Sequence, residues 1–258
     1  MMNQLKGRLM RKVGNWWITD DDKMGTYLNN EEHVRYMDHP KDVVDFAMTK
    51  NICHAIEKHA NYSKDGPGDW PKVLIDVGAS YGIVTNRVAK LFDRVECFEV
   101  IDEVRDCLRL NVDNHSHVTV HPTGVSDRVR SIQIGVVPSH TMLSGVSINQ
   151  VQYKDRFVRQ VDVVPLDDYN ISNPTCVKID VEGHELHVLY GAKNTLKSAV
   201  NPCVVFVECW DKGEYYEAQT ANVIKTMQSY GYAYCGRATN IVKPTQSTDD
   251  LIFKKGIR

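Results

Sequence analysis

Short apolar runs rich in valine and isoleucine alternate with helical patterns along the chain from Val73 onward. This alternation is typical of βαβ units and predicts a mostly parallel sheet. The runs are almost continuously apolar, as expected for strands that are covered on both faces. The predicted strands are 73–77, 95–98, 118–120, 176–180 and 204–207, and the predicted helices are 82–92, 102–113 and 185–197.

The C-terminal part of the sequence ends this alternation with one helix and two strands. A helical pattern covers 215–230, and the strand-like runs 232–235 and 251–253 are joined by a turn-rich connection. Two consecutive strands of this kind form an antiparallel hairpin. We therefore predict an α/β fold with a doubly wound, seven-stranded sheet whose last pair is a C-terminal antiparallel hairpin.

The pattern changes between the third and fourth predicted strands, over residues 128–165. Apolar and polar residues alternate at 131–135, 147–148 and 161–164, with serine, glycine and proline between these runs. Alternation with period two is typical of antiparallel strands that have one covered face. We interpret 128–165 as an inserted, β-rich segment on the substrate side of the domain.

Residues 1–70 are predicted to form an N-terminal extension that packs on the core, and 71–258 to form the domain itself. The run 15–18 is strand-like, and 41–60 is a predicted helix that ends before the glycine- and proline-containing stretch 63–69. The two adjacent tryptophans at 16 and 17 are interpreted as packing residues rather than as a ligand platform.

Composition limits the location and the partners. The chain has 258 residues, of which 42% are hydrophobic, and this is enough for one sizeable core. A formal net charge of −2 gives no positive field that would attract nucleic acid or an anionic membrane. Seven cysteines without a C-x-x-C pair indicate a reducing compartment. With no secretory signal and no apolar membrane span, we expect a soluble, cytoplasmic protein.

The first predicted strand leads into a glycine turn and then into a helix, which is the arrangement of a nucleotide-type cofactor site. Gly78 and Gly82 lack a Cβ, so the chain can turn tightly and a ligand can lie against it. The spacing is Gly-x-x-x-Gly, and the dinucleotide fingerprint Gly-x-Gly-x-x-Gly is absent. Asp76 precedes the glycines, and its negative charge suits the amino and sulfonium groups of S-adenosylmethionine better than a pyrophosphate.

Two further acidic positions extend this predicted site along the sheet edge. Glu99 ends the second strand about twenty residues after the first glycine, where a carboxylate can accept both ribose hydroxyls. Ser126 and Asp127 follow the third strand and are placed to meet the adenine edge. The predicted cofactor-binding residues are Asp76, Gly78, Ala79, Ser80, Tyr81, Gly82, Glu99, Val100, Ser126 and Asp127.

Six segments together resemble the FkbM-type S-adenosylmethionine-dependent methyltransferases. They are I-D-V-G-A-S-Y-G (75–82), C-F-E-V (97–100), L-R-L-N-V (108–112), G-V-S-D (124–127), V-P-L-D-D-Y (164–169) and V-K-I-D-V-E-G-H-E (177–185). The resemblance covers 73–210 and implies a Rossmann-like methyltransferase fold with O-methylation, commonly of sugars or other hydroxylated metabolites. This sequence departs from the family at Val100, where proline is usual, and at His184, where a small residue is frequent.

The acids that end the fourth and fifth strands are the candidate catalytic groups. Asp180 and Glu208 should point into the crevice beyond the carboxyl ends of the strands, where the methyl group emerges. Either Asp180 or His184 acts as a general base, or Asp180 and Glu208 bind a magnesium ion that lowers the pKa of the acceptor hydroxyl. The catalytic prediction therefore names Asp180, His184 and Glu208, and no residue is assigned as a metal ligand.

The neighbouring charged residues receive structural interpretations. Lys178 is expected to be an ion-pair partner of the nearby carboxylates, and Glu182 and Glu185 are expected to be acids at a helix N-terminus. The histidines in His184-Glu-Leu-His187 are three positions apart, unlike the spacing of four in zinc proteases, so zinc is not expected.

Two other functions remain open at this stage. The first is an RNA 2′-O-methyltransferase that uses a Lys-Asp-Lys-Glu tetrad, although the lysines are not at the positions that the tetrad requires. The second is a catalytically silent scaffold that retains the fold. The expected partner is a small-molecule hydroxyl acceptor, with nucleic acid disfavoured and the oligomeric state undetermined.

Overall fold

The computed structural model describes residues 3–5, 8–22, 52–53, 71–146, 154–199, 203–209, 214–239 and 247–255. Its main element is a seven-stranded sheet. The strands of this sheet are β4 (Val73–Val77), β5 (Arg94–Phe98), β6 (Val118–His121), β10 (Cys176–Ile179), β11 (Cys203–Glu208), β12 (Ala233–Thr239) and β13 (Ser247–Lys255). No helix among these residues is both long and apolar enough to span a membrane.

The order of the strands is β12-β13-β11-β10-β4-β5-β6. From β4 the chain winds outward through β5 to β6, and it then returns to add β10 and β11 on the other side of β4. The strands β13 and β12 form an antiparallel hairpin, and β13 also pairs antiparallel with β11. The predicted doubly wound sheet with a C-terminal hairpin is thus confirmed, and its switch point lies between β4 and β10.

The helices follow the predicted ones closely. They are α1 (Ile83–Val88), α2 (Asp102–Asn111), α3 (Glu185–Gly191), α4 (Lys193–Ser198) and α5 (Glu214–Ser229). The predicted helix 82–92 is α1 continued by the 3-10 turn Ala89–Leu91. The predicted helix 185–197 is divided at Ala192 into α3 and α4.

Each face of the large sheet is covered, as the continuous apolar runs predict. Along β4, Leu74 and Ile75 are both fully buried but belong to two separate apolar clusters, because successive side chains of a strand point to opposite faces. Phe206 of β11 lies in the cluster of Leu74, and Val205 lies in that of Ile75. The two layers fix the positions of the strand ends, where the candidate site lies.

A second sheet of three strands stands over the carboxyl edge of the first. It consists of β7 (Gly124–Val125), β8 (Arg130–Val136) and β9 (Phe157–Val164) in the order β7-β9-β8, with β8 and β9 antiparallel. The predicted strands 131–135 and 161–164 are therefore confirmed. The third predicted run, 147–148, lies outside the described residues.

The described part of the N-terminal segment forms a small sheet of β1 (Asn3–Leu5), β2 (Arg8–Val13) and β3 (Trp16–Thr19). Ile18 of β3 is fully buried in an apolar cluster that also contains residues of α2, β8 and β9. Both tryptophans pack against this cluster. Asn111 of α2 bonds to both the backbone N–H and the carbonyl of Trp17. Of the predicted helix 41–60 only residues 52 and 53 are described, as helical, and the stretch 63–69 lies outside.

Candidate functional site

A cavity of about 280 Å³ lies at the carboxyl ends of β4, β5, β10 and β11. Its volume is close to the lower end of the range for small-molecule sites. The large sheet contributes the end of each of these four strands, and the three-stranded sheet covers the opposite side with Ile132, Ile134, Val161 and Val163. The cavity therefore combines a polar floor at the switch point with an apolar wall from the segment that was predicted to lie on the substrate side.

Gly78 forms the turn at the end of β4 with φ +80°, a conformation that favours glycine. Its backbone N–H and that of Ala79 both donate to the carbonyl of Phe98, at 3.0 and 3.1 Å. A Cβ on Gly78 would lie 1.8 Å from the carbonyl oxygen of Asp180. The chain itself therefore requires glycine here, because the ends of β4 and β10 touch, and this reason is independent of any ligand.

Gly82 also has a positive φ, +77°, but it lies behind the cavity. A Cβ at this position would lie 2.3 Å from Cδ1 of Leu108 in α2, so this glycine allows the helix to pack against the turn. Ser80 lies between the two glycines, lines the cavity and has φ 51°. Such a backbone conformation is strained for a serine and is maintained by the surrounding contacts.

Glu99 connects the turn to the second strand. Its buried carboxylate accepts hydrogen bonds from the backbone N–H groups of Ser80, at 3.0 Å, and Ile101, at 2.9 Å. Burial raises the pKa of Glu99 above its usual value, although both hydrogen bonds favour the charged form. Glu99 lines the cavity, as does Val100.

Asp76 occupies a different position from the one predicted. Its carboxylate is 1% exposed, accepts a hydrogen bond of 2.6 Å from the Thr85 hydroxyl and lies 3.4 Å from the Lys178 ammonium. It does not line the cavity. The period of β4 turns this side chain toward α1 and Lys178, so the structure places Asp76 beside the cavity lining, and its direct contact with the cofactor stays a prediction.

Lys178 connects the turn to the acidic group at the ends of the strands. Its ammonium lies 3.1 Å from the Asp180 carboxylate and donates to the carbonyl of Gly78 at 3.2 Å. Burial favours the neutral amine, but the charges of Asp180 and Asp76 hold the pKa of Lys178 above its usual value. The predicted ion-pair role of Lys178 is thus confirmed, and this lysine also lines the cavity.

Three carboxyl groups meet at the floor of the cavity. Each of Asp180, Glu182 and Glu208 offers an oxygen, and these oxygens lie within 4.8 Å of one another. Burial and the charge of Asp180 raise the pKa of Glu182 to about 9 and also raise that of Glu208. Burial acts on Asp180 as well, but the Lys178 ammonium outweighs it and holds the pKa of Asp180 below its usual value. A cation in the cavity would relieve this crowding of negative charge.

Glu182 is the cavity residue that the sequence interpretation missed. It was expected to be a helix N-terminal acid, but it precedes α3 and has φ 52°. The first residue of α3, Glu185, accepts hydrogen bonds from the backbone N–H groups of Gly183, at 2.9 Å, and Val181, at 3.4 Å. Glu185 thereby stabilises the tight turn that directs Glu182 into the cavity. An acidic residue before a glycine at a strand end was the available sequence signal.

His184 lies on the side of the cavity near the third strand. Its Nε2 is 2.9 Å from the hydroxyl oxygen of Ser126, and its ring stacks on that of His187. Burial, together with the charge of His187, lowers the pKa of His184 to about 4. An imidazole with this pKa is neutral near pH 7.

Ser126 and Asp127 do not themselves line the cavity. The Ser126 hydroxyl donates to the Asp127 carboxylate, which also pairs with Arg130 at 2.8 Å. Burial opposes ionisation of Asp127, but the bond from Ser126 and the charge of Arg130 hold its pKa below the usual value. This pair therefore lies beside the cavity, and Ser126 is hydrogen-bonded to His184, which lines it.

Two other predicted cofactor residues are buried behind the cavity wall. Ala79 contributes a backbone N–H to the turn, and the Tyr81 hydroxyl donates to Asp22 at 2.8 Å. Neither side chain lines the cavity. Sequence reasoning also missed Thr141, Ser144, Gly145 and Val146, which line it from a segment that has no recognisable motif.

The sheet order, the glycine turn and the cavity at the switch point define a Rossmann-like methyltransferase fold. A family model described as the methyltransferase FkbM domain matches residues 76–234. The chain belongs to the FkbM methyltransferase family.

Solved structures that resemble this chain are distant in sequence. A methyltransferase FkbM from Methylobacillus flagellatus is 17% identical over 92% of this chain and 62% of its own, with a TM-score of 0.48. The present chain thus spans less than two thirds of that protein's length. A putative rRNA methylase from Clostridium thermocellum is 11% identical over 71% of this chain and 84% of its own, with a TM-score of 0.45.

A magnesium protoporphyrin IX methyltransferase from Synechocystis, solved with bound S-adenosylmethionine, is 10% identical over 93% of this chain and 99% of its own, with a TM-score of 0.43. No curated protein sequence matches the chain. At these levels of identity the likenesses concern the fold alone.

Proposed function

We propose that the protein is an S-adenosylmethionine-dependent O-methyltransferase that acts on a hydroxyl of a small acceptor, such as a sugar or another hydroxylated metabolite. The main support for this proposal is the group of acidic side chains on the floor of the cavity, at the switch point of the sheet. Glu99, Asp180, Glu182 and Glu208 all line it, and Lys178 is the only lysine or arginine among its described lining residues.

The charge of this floor favours a cationic cofactor. S-adenosylmethionine carries a sulfonium and an ammonium group, whereas NAD would bring an anionic pyrophosphate. The raised pKa values of Glu182 and Glu208 mean that their ionised forms are costly until a positive charge enters. A sulfonium placed near them would offset that cost, so the cavity is electrostatically complementary to the proposed cofactor.

Each part of the cofactor has a partner in this proposal. Glu99 accepts the ribose hydroxyls with the carboxylate lone pairs that its two backbone bonds leave open. The turn Gly78–Ser80 bounds the methionine part, with Asp76 acting indirectly by holding Lys178 in place. The Ser126–Asp127 pair and His184 stand at the adenine end.

Methyl transfer requires an in-line approach of the acceptor oxygen to the methyl carbon. The new C–O bond forms as the C–S bond breaks, the sulfonium becomes a neutral thioether, and the hydroxyl proton must leave. We assign Asp180 as the proton acceptor, with Glu208 hydrogen-bonded to it. His184 is the less suitable base, because Ser126 already engages its Nε2.

A magnesium-assisted route is not part of the proposal. The carboxylate oxygens of Asp180, Glu182 and Glu208 are hard donors of the kind that magnesium prefers. The Lys178 ammonium, however, already compensates Asp180 at 3.1 Å and would repel a metal ion at that carboxylate. We therefore propose a metal-free transfer, in which a chelator leaves turnover unchanged.

The same charges disfavour the RNA alternative. A phosphate backbone would approach a cavity whose described lining residues include several carboxylates and a single lysine, in a protein of net charge −2. A silent scaffold is disfavoured as well, because the ionised forms of Glu182 and Glu208 are destabilised in this cavity, and a purely structural role does not explain that cost.

Two buried glutamates of β5 provide a matched test of the cofactor site. Glu99 lines the cavity, whereas Glu96 bonds to His121 and Arg94 away from it. We expect Glu99→Gln to weaken binding of S-adenosylhomocysteine about ten- to a hundredfold in calorimetry, because hydrogen bonds to a charged group contribute about 1.5–3 kcal/mol.

Glu96→Gln should bind this ligand as the parent does, and NAD should not bind to any of the three proteins. Equal affinity of Glu99→Gln and the parent would show that the ribose is placed wrongly. A parent protein that binds neither S-adenosylmethionine nor S-adenosylhomocysteine would overturn the proposed function.

A further inference from the structure

A buried carboxylate from the N-terminal segment meets the cofactor cavity from behind. Asp22 is 2% exposed, and its Oδ2 accepts hydrogen bonds from the Tyr81 hydroxyl at 2.8 Å and from the Thr141 backbone N–H at 3.1 Å. The Thr141 hydroxyl also lies within hydrogen-bond distance of both Asp22 and Tyr81. We call Asp22, Tyr81 and Thr141 the latch.

The latch joins two walls of the cavity that are distant in the sequence. Tyr81 belongs to the glycine turn, directly after Ser80, which lines the cavity. Thr141 belongs to residues 138–146, which we call the cover segment and which contribute Thr141, Ser144, Gly145 and Val146 to the cavity lining. The position of the cover segment over the cofactor site therefore depends on a carboxylate that lies outside the matched family region.

The cover segment is held at its other end by close packing. Gly145 pairs with Gly135 of β8 through two backbone hydrogen bonds of 3.0 and 3.1 Å. A Cβ on Gly145 would lie 2.3 Å from Cβ of Glu182. The segment thus reaches from the latch to the turn that carries Glu182, and it spans the cavity between the two.

In the latch, the Tyr81 hydroxyl is the hydrogen-bond donor and the Asp22 carboxylate is the acceptor. Burial and the neighbouring Asp22 charge raise the pKa of Tyr81 well above its usual value, so the hydroxyl keeps its proton and donates it to Asp22. A buried carboxylate with several donors is costly when any of them is removed, because the unmatched lone pair stays buried. Loss of one latch hydroxyl should therefore shift the cover segment toward an open state.

We propose that Asp22 is a positioning residue that, through Tyr81 and Thr141, closes the cover segment over the cofactor and sets how fast the cofactor product leaves. This inference rests on the proposed function. It also gives the N-terminal segment a role at the site, because Asp22 directly follows β3 and the short turn after it.

The test uses the full-length chain and S-adenosylhomocysteine as the probe. Tyr81→Phe and Thr141→Val should each speed dissociation of this ligand roughly tenfold or more, as expected for losing a hydrogen bond to a charged group. The matched control is Tyr230→Phe, which removes the hydroxyl of another buried tyrosine. This hydroxyl donates to the Leu189 carbonyl, at 3.2 Å, and neither residue lines the cavity. This control should show the parental dissociation rate.

Hydrogen exchange separates positioning from general destabilisation. In both latch variants the amides of the cover segment should exchange faster, while those of β4 and β10 keep their parental protection. Parental dissociation and exchange rates in Tyr81→Phe and Thr141→Val would overturn the inference.

The parent protein provides a measurement that does not depend on the folding of any variant. Saturating S-adenosylhomocysteine should slow exchange of the Thr141 and Gly145 amides in the parent. Bound ligand without this protection would also overturn the latch, whereas a parent that binds no ligand contradicts the proposed function instead.

Discussion

The pair of Lys178 and Asp180 illustrates how one contact sets the chemistry of a residue. Asp180 is only partly buried, and partial desolvation alone would raise its pKa, yet the ammonium 3.1 Å away keeps that pKa below its usual value. At the neighbouring Glu208, burial and the charges of Asp180 and Glu182 dominate, and its pKa is raised. The carboxyl groups thus differ in pKa because of their surroundings, and Asp180 gives up its proton more readily than Glu182 or Glu208.

Asp180→Asn tests the assigned proton acceptor. The amide keeps the shape of the side chain but cannot accept a proton, so kcat should fall roughly a hundred- to ten-thousandfold. Affinity for S-adenosylhomocysteine should stay within a few-fold of the parent. Asp168→Asn makes the same chemical change at an exposed position of the 3-10 turn Leu166–Tyr169 and should leave both quantities unchanged.

A chelator added to the parent completes this experiment. Unchanged turnover agrees with the metal-free proposal, whereas loss of turnover that magnesium restores would replace it with the metal-assisted route. Parental kcat in Asp180→Asn would remove Asp180 from the reaction.

At the scale of elements, the site depends on the contact between two strand ends. The end of β4 turns at Gly78 directly against the carbonyl of Asp180 at the end of β10. The two strands pair in parallel from Leu74 and Cys176 onward, so their ends arrive at the same edge. The glycine therefore sets the distance between the turn and the acidic floor.

Gly78→Ala should lower the free energy of unfolding, in addition to any effect on cofactor binding. The positive φ costs an alanine about 1–2 kcal/mol, and the overlap with Asp180 adds about 1–3 kcal/mol. Gly14→Ala is the matched control, because Gly14 also has a positive φ, +56°, but no atom lies within 4 Å of its added Cβ.

In chemical denaturation, the free energy of unfolding should fall by about 2–5 kcal/mol for Gly78→Ala. For Gly14→Ala it should fall only by the cost of the positive φ, about 1–2 kcal/mol. Equal losses in the two variants would mean that the contact with Asp180 relaxes without cost.

At the scale of the whole molecule, acidic groups are distributed unevenly. The formal net charge is only −2, yet Glu99, Asp180, Glu182, Glu208 and Asp250 all line one cavity. This cluster of acids focuses a negative field on a bound ligand to the extent that it is ionised, and Glu182 ionises only as pH approaches about 9. It also makes the ligand-free protein sensitive to pH.

The pKa of Glu182, about 9 in the folded protein, lies above its unfolded value. The stability that this group contributes is thus present below the unfolded pKa and is lost as pH rises toward about 9. Over the same interval the cavity gains negative charge. A sulfonium should therefore bind more tightly at high pH, relative to a neutral thioether.

The ratio of affinities for S-adenosylmethionine and S-adenosylhomocysteine should rise roughly tenfold between about pH 6.5 and 9.5. The two ligands share an amino group, so its titration cancels in the ratio. Calorimetry across this range measures both affinities, and a ratio that is constant with pH would show that the sulfonium lies away from Glu182.

The sequence determined the elements, the doubly wound sheet with its C-terminal hairpin, and the placement of acids at the strand ends. These features follow from local periodicity, which reports whether each segment is buried on one face or on two. It also indicated Glu99 and Asp180 as cavity residues, because the carboxyl ends of parallel strands meet at one edge.

Only the tertiary structure decided which groups touch. It turned Asp76 away from the cavity toward Lys178, brought Glu182 into it, and joined Asp22 to Tyr81 across 59 positions of the chain. Contacts between segments distant in sequence leave no local pattern, and the protonation of a carboxyl group depends on the partners that those contacts supply.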